Sequence, residues 1–570
     1  MKHLHLLAPV VVALLAAITF ASGFRHGSFV FDDHVLIERN ADLRRGDIWQ
    51  RALVRDYYAT SDAHGVSGYY RPIAVWSNAL DARLWKNQAP GFRLTNLILH
   101  ALASVAAMAA LRALGAGAGV AWVTALLFAV HPVHAESVAF VSGRVDILAT
   151  LGMFAAMAFA GWKARFAWLG VGIASLFAFL AKESAIVLPV LMALVWKSSP
   201  APADVRRRRI IAEPRTTLAP QLIAFGVAAG VTLLLRATAL GGLLPATARA
   251  ARTTNPLLLP FESLAFALGA VFAPLRALAV EPDPAHLGFA RFGVGVLVGA
   301  ALWIAAWRLD ATSRPLLRRM LVAGGCALLP TLNLLPQETP LSERYLYLAA
   351  AFLLVPFGVL AVAGWRRGGT MQPLTAGVTA VALLALLLVA AWRAQFWKDD
   401  VALWQRAVVE EPTRAAFYDR LGLALTERRS FAPAEGALRR AVELDPTSFN
   451  AQLNLGVFLQ TVRRPADAIK SYRKALELQP RHVNAHLNLG MALIEIGQTR
   501  EAFAAFTTAV RLKPDHPDAL RLAGTTALDL GLDDEARRYL QAAVQVQPNN
   551  TALRAMLARQ QSVPAPTPAR

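Results

Sequence analysis

The chain has 570 residues, 56% of them hydrophobic, a formal net charge of +20 and a single cysteine, Cys326. Apolar runs of about the ~20 residues that a bilayer-crossing helix requires recur through its first two thirds, which makes it a polytopic membrane protein. One cysteine excludes a disulfide framework or a Cys-based metal site within one chain, and much of the Lys and Arg sits in short loops between apolar runs, where the positive-inside rule accounts for it without nucleic acid.

The first run, residues 4–24, offers small residues for cleavage in "TFASG" but is long for a signal peptide core, so a retained anchor is expected. An outer loop follows, residues 25–93. It opens with "FVFDDHVLIERN", where Asp32 and Asp33 lie just beyond the first span. One reading is a helix cap, a role Asp favours. The other is a general base, because neighbouring carboxylates in a poorly hydrated place push one pKa upward. The same loop holds "YYRPIAVWSNAL", with Arg71 inside a Tyr69 to Pro72 and Trp76 aromatic shelf that suits a membrane interface. Asn96 and His100 fall just inside the next helix, where His100 reads as a packed, hydrogen-bonded residue.

Further spans centre near residues 104, 126, 153, 173, 190, 227, 298, 328, 354 and 382. Between the second and third of these runs "HPVHAESVAFVSGRVDILA", which brings His131, His134 and Glu136 within six residues, followed by Arg144 and Asp146. Two histidines and a carboxylate are plausible divalent-metal ligands; capping of helix ends is the plainer reading. Arg144 with a histidine could also bind an anionic head group through its planar fork. Charges at the edge of a span are costly, so Arg144, Asp146, Lys182 and Glu183 are read as functional, although Lys182 and Glu183 could simply neutralise each other. Residues 256–280 are apolar but interrupted by Pro256, Pro260, Pro274, Glu262 and Arg276, which fits a re-entrant element as well as a crossing. "SERYLYLAAAF" adds Glu343 and Arg344 at the entry to a late span.

The basic loops "KSSPAPADVRRRR", "WRLDATSRPLLRR" and "GWRRGG" belong on the cytoplasmic face. If residues 256–280 do not cross, that gives eleven spans, a cytoplasmic N-terminus and an outer C-terminal region. The acidic loop, "HPVHAESVAFVSGR", the "AKES" turn and "LPQETPLSERYLY" then share the outer side. Polar residues with chemistry to offer gather on one face.

From Lys398 onward the chain is soluble and periodic. Pro412, Pro446, Pro480, Pro514 and Pro548 recur every 34 residues, as do Gly422, Gly456, Gly490 and Gly524, and Ala441, Ala475, Ala509 and Ala543. This period resembles the tetratricopeptide repeat, with a small residue where two helices cross and a proline closing each unit. Such solenoids present a concave groove for extended polypeptide; a spacer carrying the membrane part is the alternative. The division is a membrane domain at 1–397, a solenoid at 398–550 and a Pro-rich tail at 551–570, whose closing "SVPAPTPAR" has no packed core.

"FVFDDHVLIERN", "YYRPI", "FAVHPVHAESVAFVSGRVDILA", "LAKESAIVLPVL" and "SERYLYL", in this order and followed by the repeats, resemble the transmembrane and tetratricopeptide-repeat O-mannosyltransferase family of the GT-C glycosyltransferases. An Ala- and Arg-rich composition suggests a bacterial relative. The resemblance implies an all-α fold, a GT-C-like helical bundle in the inner membrane followed by an α-solenoid. It implies transfer, with inversion, of a mannose-like sugar from a polyprenyl-phosphate donor to Ser or Thr of exported polypeptide captured by the repeats. It places Asp33 as general base with Asp32 orienting it, and Arg144 and Arg344 on the leaving phosphate, with His131, His134 and Lys182 as second choices. Glu136, Asp146, Arg71, Glu183 and Glu343 are further candidates, and a divalent metal is left open. A non-enzymatic envelope scaffold and a GT-C transferase acting on lipid or glycan are the rivals; a transporter fits less well, because the membrane half shows no internal duplication.

Overall fold

A computed structural model describes residues 4–21, 27–58, 68–162, 164–198, 218–241, 258–274, 290–333 and 341–561. Every regular element among them is helical, and the chain forms two compact units, Met1–Arg406 and Ala407–Arg570. The basic stretch at 199–209 and the residues of "LPQETP" lie outside the described residues.

In the first unit the helix Ala89–Ala113 shows how sequence sets placement. Pro90 supplies a fixed φ at its first turn, and Gly115 at φ +90 ends it in the left-handed region where glycine carries no penalty. Phe92, Asn96, His100, Ala103, Ala107 and Ala110 recur at helical spacing and are buried. Leu94, Ile98 and Leu102, on the other side, are exposed. In a bilayer such apolar side chains are at home in lipid, so helices associate through close fit rather than through the hydrophobic effect. Small residues provide that fit. A β-carbon on Gly152 would stand 2.9 Å from the Ala178 backbone nitrogen, so the helices Arg144–Ala160 and Ala167–Ala181 touch through their backbones.

Among the described residues five helices are long and apolar enough to cross a membrane: Ala89–Ala113, Val141–Ala160, Leu218–Leu240, Glu343–Arg366 and Met371–Trp397. The number is up to seven if each of two bent pairs is one span, and this is a multi-pass membrane protein. Three shorter apolar helices among the described residues, Leu7–Phe20, Ala167–Ala181 and Leu259–Phe272, add to these. The expected span near 126 bends by 51° between Ala118–Ala129 and Pro132–Ala139, and those near 298 and 328 join through a 108° bend. Pro132 removes a helical donor at the first bend; at the second, Asp310 accepts from the Thr312 amide and caps a new start. Hydropathy averages over such corners. The described part of the ambiguous 256–280 stretch is the helix Leu259–Phe272, whose 14 residues fall short of the ~20 a crossing requires.

The second unit is a stack of paired helices from Ala415–Glu427 to Asp533–Val546. The periodic glycines lie where partner helices cross: Gly422, Gly456, Gly490 and Gly524 face Leu438, Tyr472, Phe506 and Leu540. A β-carbon on Gly456 would come within 2.5 Å of the Tyr472 ring, so the pairing excludes any larger residue. The segment assigned to the tail, 551–570, begins as the helix Thr551–Gln561 and so extends the stack. Leu553, 1% exposed, joins Leu520, Leu540 and Ala543, with Leu557 packed alongside. A terminal repeat needs its apolar face covered, and this helix covers it.

Candidate active site

The acidic loop is pinned by its apolar residues. Phe29, Leu36 and Ile37 join a cluster with Leu43, Ile48, Tyr57, Val75, Phe92 and Val141. Between them Phe31 takes φ +52, which turns the chain just before the two acids. The acids then part company.

Asp33 is fully buried. Its Oδ1 accepts from the Ser142 amide at 2.8 Å and the Ser142 hydroxyl at 2.6 Å, and its Oδ2 accepts from the Val141 amide at 3.3 Å. It ties the loop to the turn that opens the helix Arg144–Ala160. Burial pushes its carboxyl up to about 6, even though these donors and nearby Arg93 pull the other way.

Asp32 is only half-buried. The Tyr58 hydroxyl donates to its Oδ2 at 3.4 Å. Burial and the charge of Asp32 hold the Tyr58 phenol well above its usual range, so it stays a donor. Tyr57 packs edge-on to Tyr58 at 5.6 Å, and burial pushes it up to about 12. Both rings feel Asp32 and Arg71; Tyr58 also feels Arg344. The half-exposed acid thus lies beside Tyr58, a ring that also feels Arg71 and Arg344.

Three cations surround the carboxylate of Asp146. Lys182 Nζ lies 2.5 Å from Asp146 Oδ1 and over the Tyr345 ring at 4.7 Å. Arg71 and Arg344 lie within electrostatic reach of the same carboxylate. Asp146 Oδ2 is buried and has no hydrogen-bond partner among the described residues. Glu183 grips Arg71 at 3.1 Å, accepts from the Tyr70 amide at 3.1 Å and meets Arg236 at 3.4 Å, so it fixes Arg71 at the start of the helix Pro72–Leu84. Lys182 and Glu183, neighbours in sequence, therefore serve different partners and do not neutralise each other. Arg344 sits over Tyr345 at 5.5 Å and pairs with Glu136 at 3.5 Å. Glu136 also accepts from the Ser342 hydroxyl at 2.8 Å and the Arg344 amide at 3.2 Å.

Other residues singled out from the sequence are committed elsewhere. Arg144 is fully buried and spends its guanidinium on Asn96 at 2.9 Å, Ser77 at 3.0 Å, the Phe92 carbonyl at 2.9 Å and Asp81 at 2.7 Å. Nε, Nη1 and Nη2 each already hold a partner inside the fold. Glu343 is paired with Arg393. His131 accepts from the Val133 amide at 3.2 Å and bonds the Val271 carbonyl at 3.0 Å. His134 is buried among Phe128, Tyr347 and His100, at ring distances of 4.3, 4.4 and 5.3 Å. His100 is packed and hydrogen-bonded as read, to the Tyr347 hydroxyl at 2.5 Å and the Ala129 carbonyl at 3.0 Å. Among the described residues no three His, Cys, Asp or Glu side chains are grouped to hold a metal ion, so His131, His134 and Glu136 do not form the ligand set their spacing suggested.

Sequence reading passed over Tyr57, Tyr58 and Tyr345. Their signal was present in "DYYAT" and "SERYLYL", as polar aromatics flanking charges, but aromatics near a membrane read first as an interfacial belt. Asp81, which neutralises Arg144, lies 63 residues away by numbering and has no local signature.

Sequence models of the family described as "Tetratricopeptide repeat" match residues 447–515 and 497–559. "Protein O-mannosyl-transferase Tmtc2" of Drosophila melanogaster is 39% identical over 124 residues, 21% of this chain and 13% of that protein. "Protein O-mannosyl-transferase TMTC4" of Homo sapiens is 33% identical over 177 residues, 28% of this chain and 23% of that protein. The match thus spans less than a quarter of the length of either relative. A solved structure, "Crystal structure of MamA", is 22% identical and covers 28% of this chain and 94% of its own, with a TM-score of 0.26. The chain is similar to the transmembrane and tetratricopeptide-repeat O-mannosyltransferases, as its motifs suggested.

Proposed function

From this likeness to proteins named as O-mannosyl-transferases we propose that the chain is a membrane glycosyltransferase that moves a mannose-like sugar from a polyprenyl-phosphate donor to Ser or Thr hydroxyls of exported polypeptides. Transfer proceeds with inversion, and the repeats bind the acceptor polypeptide and raise its local concentration. The acidic loop and the repeats occupy the outer side of the inner membrane.

The observation that carries the chemistry is the split between the two acids. A base must reach the hydroxyl it deprotonates. Asp33, buried with both oxygens on the Val141–Ser142 turn, supports a positioning role. The half-exposed position of Asp32 beside Tyr58, a ring that itself feels Arg71 and Arg344, supports the role of base. The two parts implied by the resemblance are thereby exchanged. Asp32 takes the acceptor proton as its oxygen attacks C1 of the sugar; the bond from C1 to the phosphate oxygen breaks, and its electrons stay on the phosphate. Arg71, Lys182 and Arg344 stabilise that charge, which needs no proton while cations hold it. Arg144 contributes by rigidity, since it joins the helices that carry the site. Asp146 Oδ2, buried without a donor, suits a hydroxyl of the sugar.

Purified protein reconstituted with a polyprenyl-phosphate mannose donor and an acceptor peptide tests the assignment. Asp32→Asn should lower kcat by about 10²- to 10⁴-fold, the range of a general base, with folding unchanged. Equal rates in wild type and variant would leave the scaffold reading standing.

A further inference from the structure

Asp400 lies outside every motif that marks the site, at the start of the helix Asp400–Glu410. It nevertheless holds the acidic loop at two points. Its Oδ1 accepts from the Phe31 amide at 3.0 Å, and its Oδ2 is 2.6 Å from His34 Nε2. An Asp at a helix start ordinarily caps its own helix. Here Asp399 does so, accepting from the Ala402 amide at 2.8 Å, which leaves Asp400 for the loop.

The two points are the ones that set the direction of Asp32. Phe31, at φ +52, is in a left-handed conformation that a bulky residue adopts only under constraint. An acceptor on its amide supplies part of that constraint. Its ring supplies more, at 5.7 Å from Trp404 and 6.3 Å from Phe140. His34, on the far side of the acids, is held between Asp400 and Glu38, whose Oε2 is 2.5 Å from Nδ1. Asp400 first, and Glu38 after it, push the imidazole up to about 9, so it is a cation at neutral pH and its two bonds are charge-assisted. Beneath this frame Arg93, fully buried, donates to the carbonyls of Ser28, Trp397 and Lys398 at 2.6, 2.7 and 3.3 Å. The Ser28 amide donates to the Lys398 carbonyl at 3.1 Å. Residues 28–34 and 397–404 are one clamped assembly.

Resting on the function proposed above, we propose that Asp400 is a positioning residue for sugar transfer, which keeps Asp32 aligned with the acceptor hydroxyl by fixing Phe31 and His34. Misplacing a reacting group by about 1 Å can lower a rate about 10²-fold without weakening binding, and that sets the size of the effect.

The test uses the full-length protein in detergent, with Asp400→Ala, Asp400→Asn and Asp400→Glu. Asp400→Ala should lower kcat about 30- to 100-fold while the donor KM stays within about twofold, and Asp400→Glu should recover part of the loss. A second readout needs no activity. In a Cys326→Ser background, a cysteine placed by Val35→Cys, at a position 37% exposed, should react with maleimide faster once Asp400→Ala is added. An unchanged labelling rate, or a released loop with kcat intact, overturns the positioning role while wild-type transfer upholds the enzyme. A higher donor KM at constant kcat also overturns it. Absence of transfer by the wild type under conditions where donor binds overturns both readings.

Discussion

Asp32 and Asp33 show how far adjacent identical side chains can diverge once the chain has turned. One peptide bond separates a half-exposed carboxylate beside the Tyr58 hydroxyl from one sealed under three donors. The sealed acid makes a prediction about pH. Its folded-state pKa, about 6, stands above its ordinary value of 3.8. Below pH 4 both folded and unfolded chains hold the proton, and between 4 and 6 only the folded chain does. Stability therefore falls as pH rises through that window and levels off above it, by roughly 3 kcal/mol at 1.36 kcal/mol per unit. Melting curves of detergent-solubilised protein from pH 4 to 7 should show this decline, and Asp33→Asn should flatten it. That two acids follow the first span was legible in the sequence. Which of them is exposed was not, because it depends on Val141 and Ser142, more than a hundred residues on.

At the scale of helices, the site depends on bends and on one buried cation. The 51° corner after Ala129 brings Glu136 to the Ser342–Arg344 turn, and the extended backbone of Lys182, φ −161 and ψ 146, ends its helix so that Nζ reaches Asp146. Arg144 locks the helices Pro72–Leu84, Ala89–Ala113 and Arg144–Ala160 together through Ser77, Asp81, Phe92 and Asn96. Removing one member of a buried ion pair leaves the other uncompensated, at about 3–5 kcal/mol. Arg144→Ala should therefore lower the melting midpoint and yield sharply, and Arg144→Lys should not restore them, since an ammonium cannot match the planar fork. A stable Arg144→Ala protein that lost only donor affinity would instead place this residue on the phosphate. The sequence marked Arg144 as unusual for a correct reason, a charge at the edge of a span. It did not disclose that the charge is satisfied internally.

For the whole molecule, the repeat unit and the membrane unit have separate cores, and the proposed function assigns them separate tasks. Deleting residues 413–547 should weaken modification of polypeptide acceptors while leaving hydrolysis of the lipid donor largely intact; glycopeptide mass spectrometry beside a donor-hydrolysis assay reads both, and equal loss of the two would refute the division. The 34-residue period, the glycines at helix crossings and the apolar character of the first two thirds were determined by sequence alone, because each is a local rule repeated many times. Gly456 must be small because the next helix always crosses there. The bends within apolar segments, the capping role of Leu553 and the choice among the acids and cations were decided only by tertiary structure. Bends, caps and ion pairs such as Lys182 with Asp146 or Arg144 with Asp81 depend on which segments meet, and no window along the chain contains both partners.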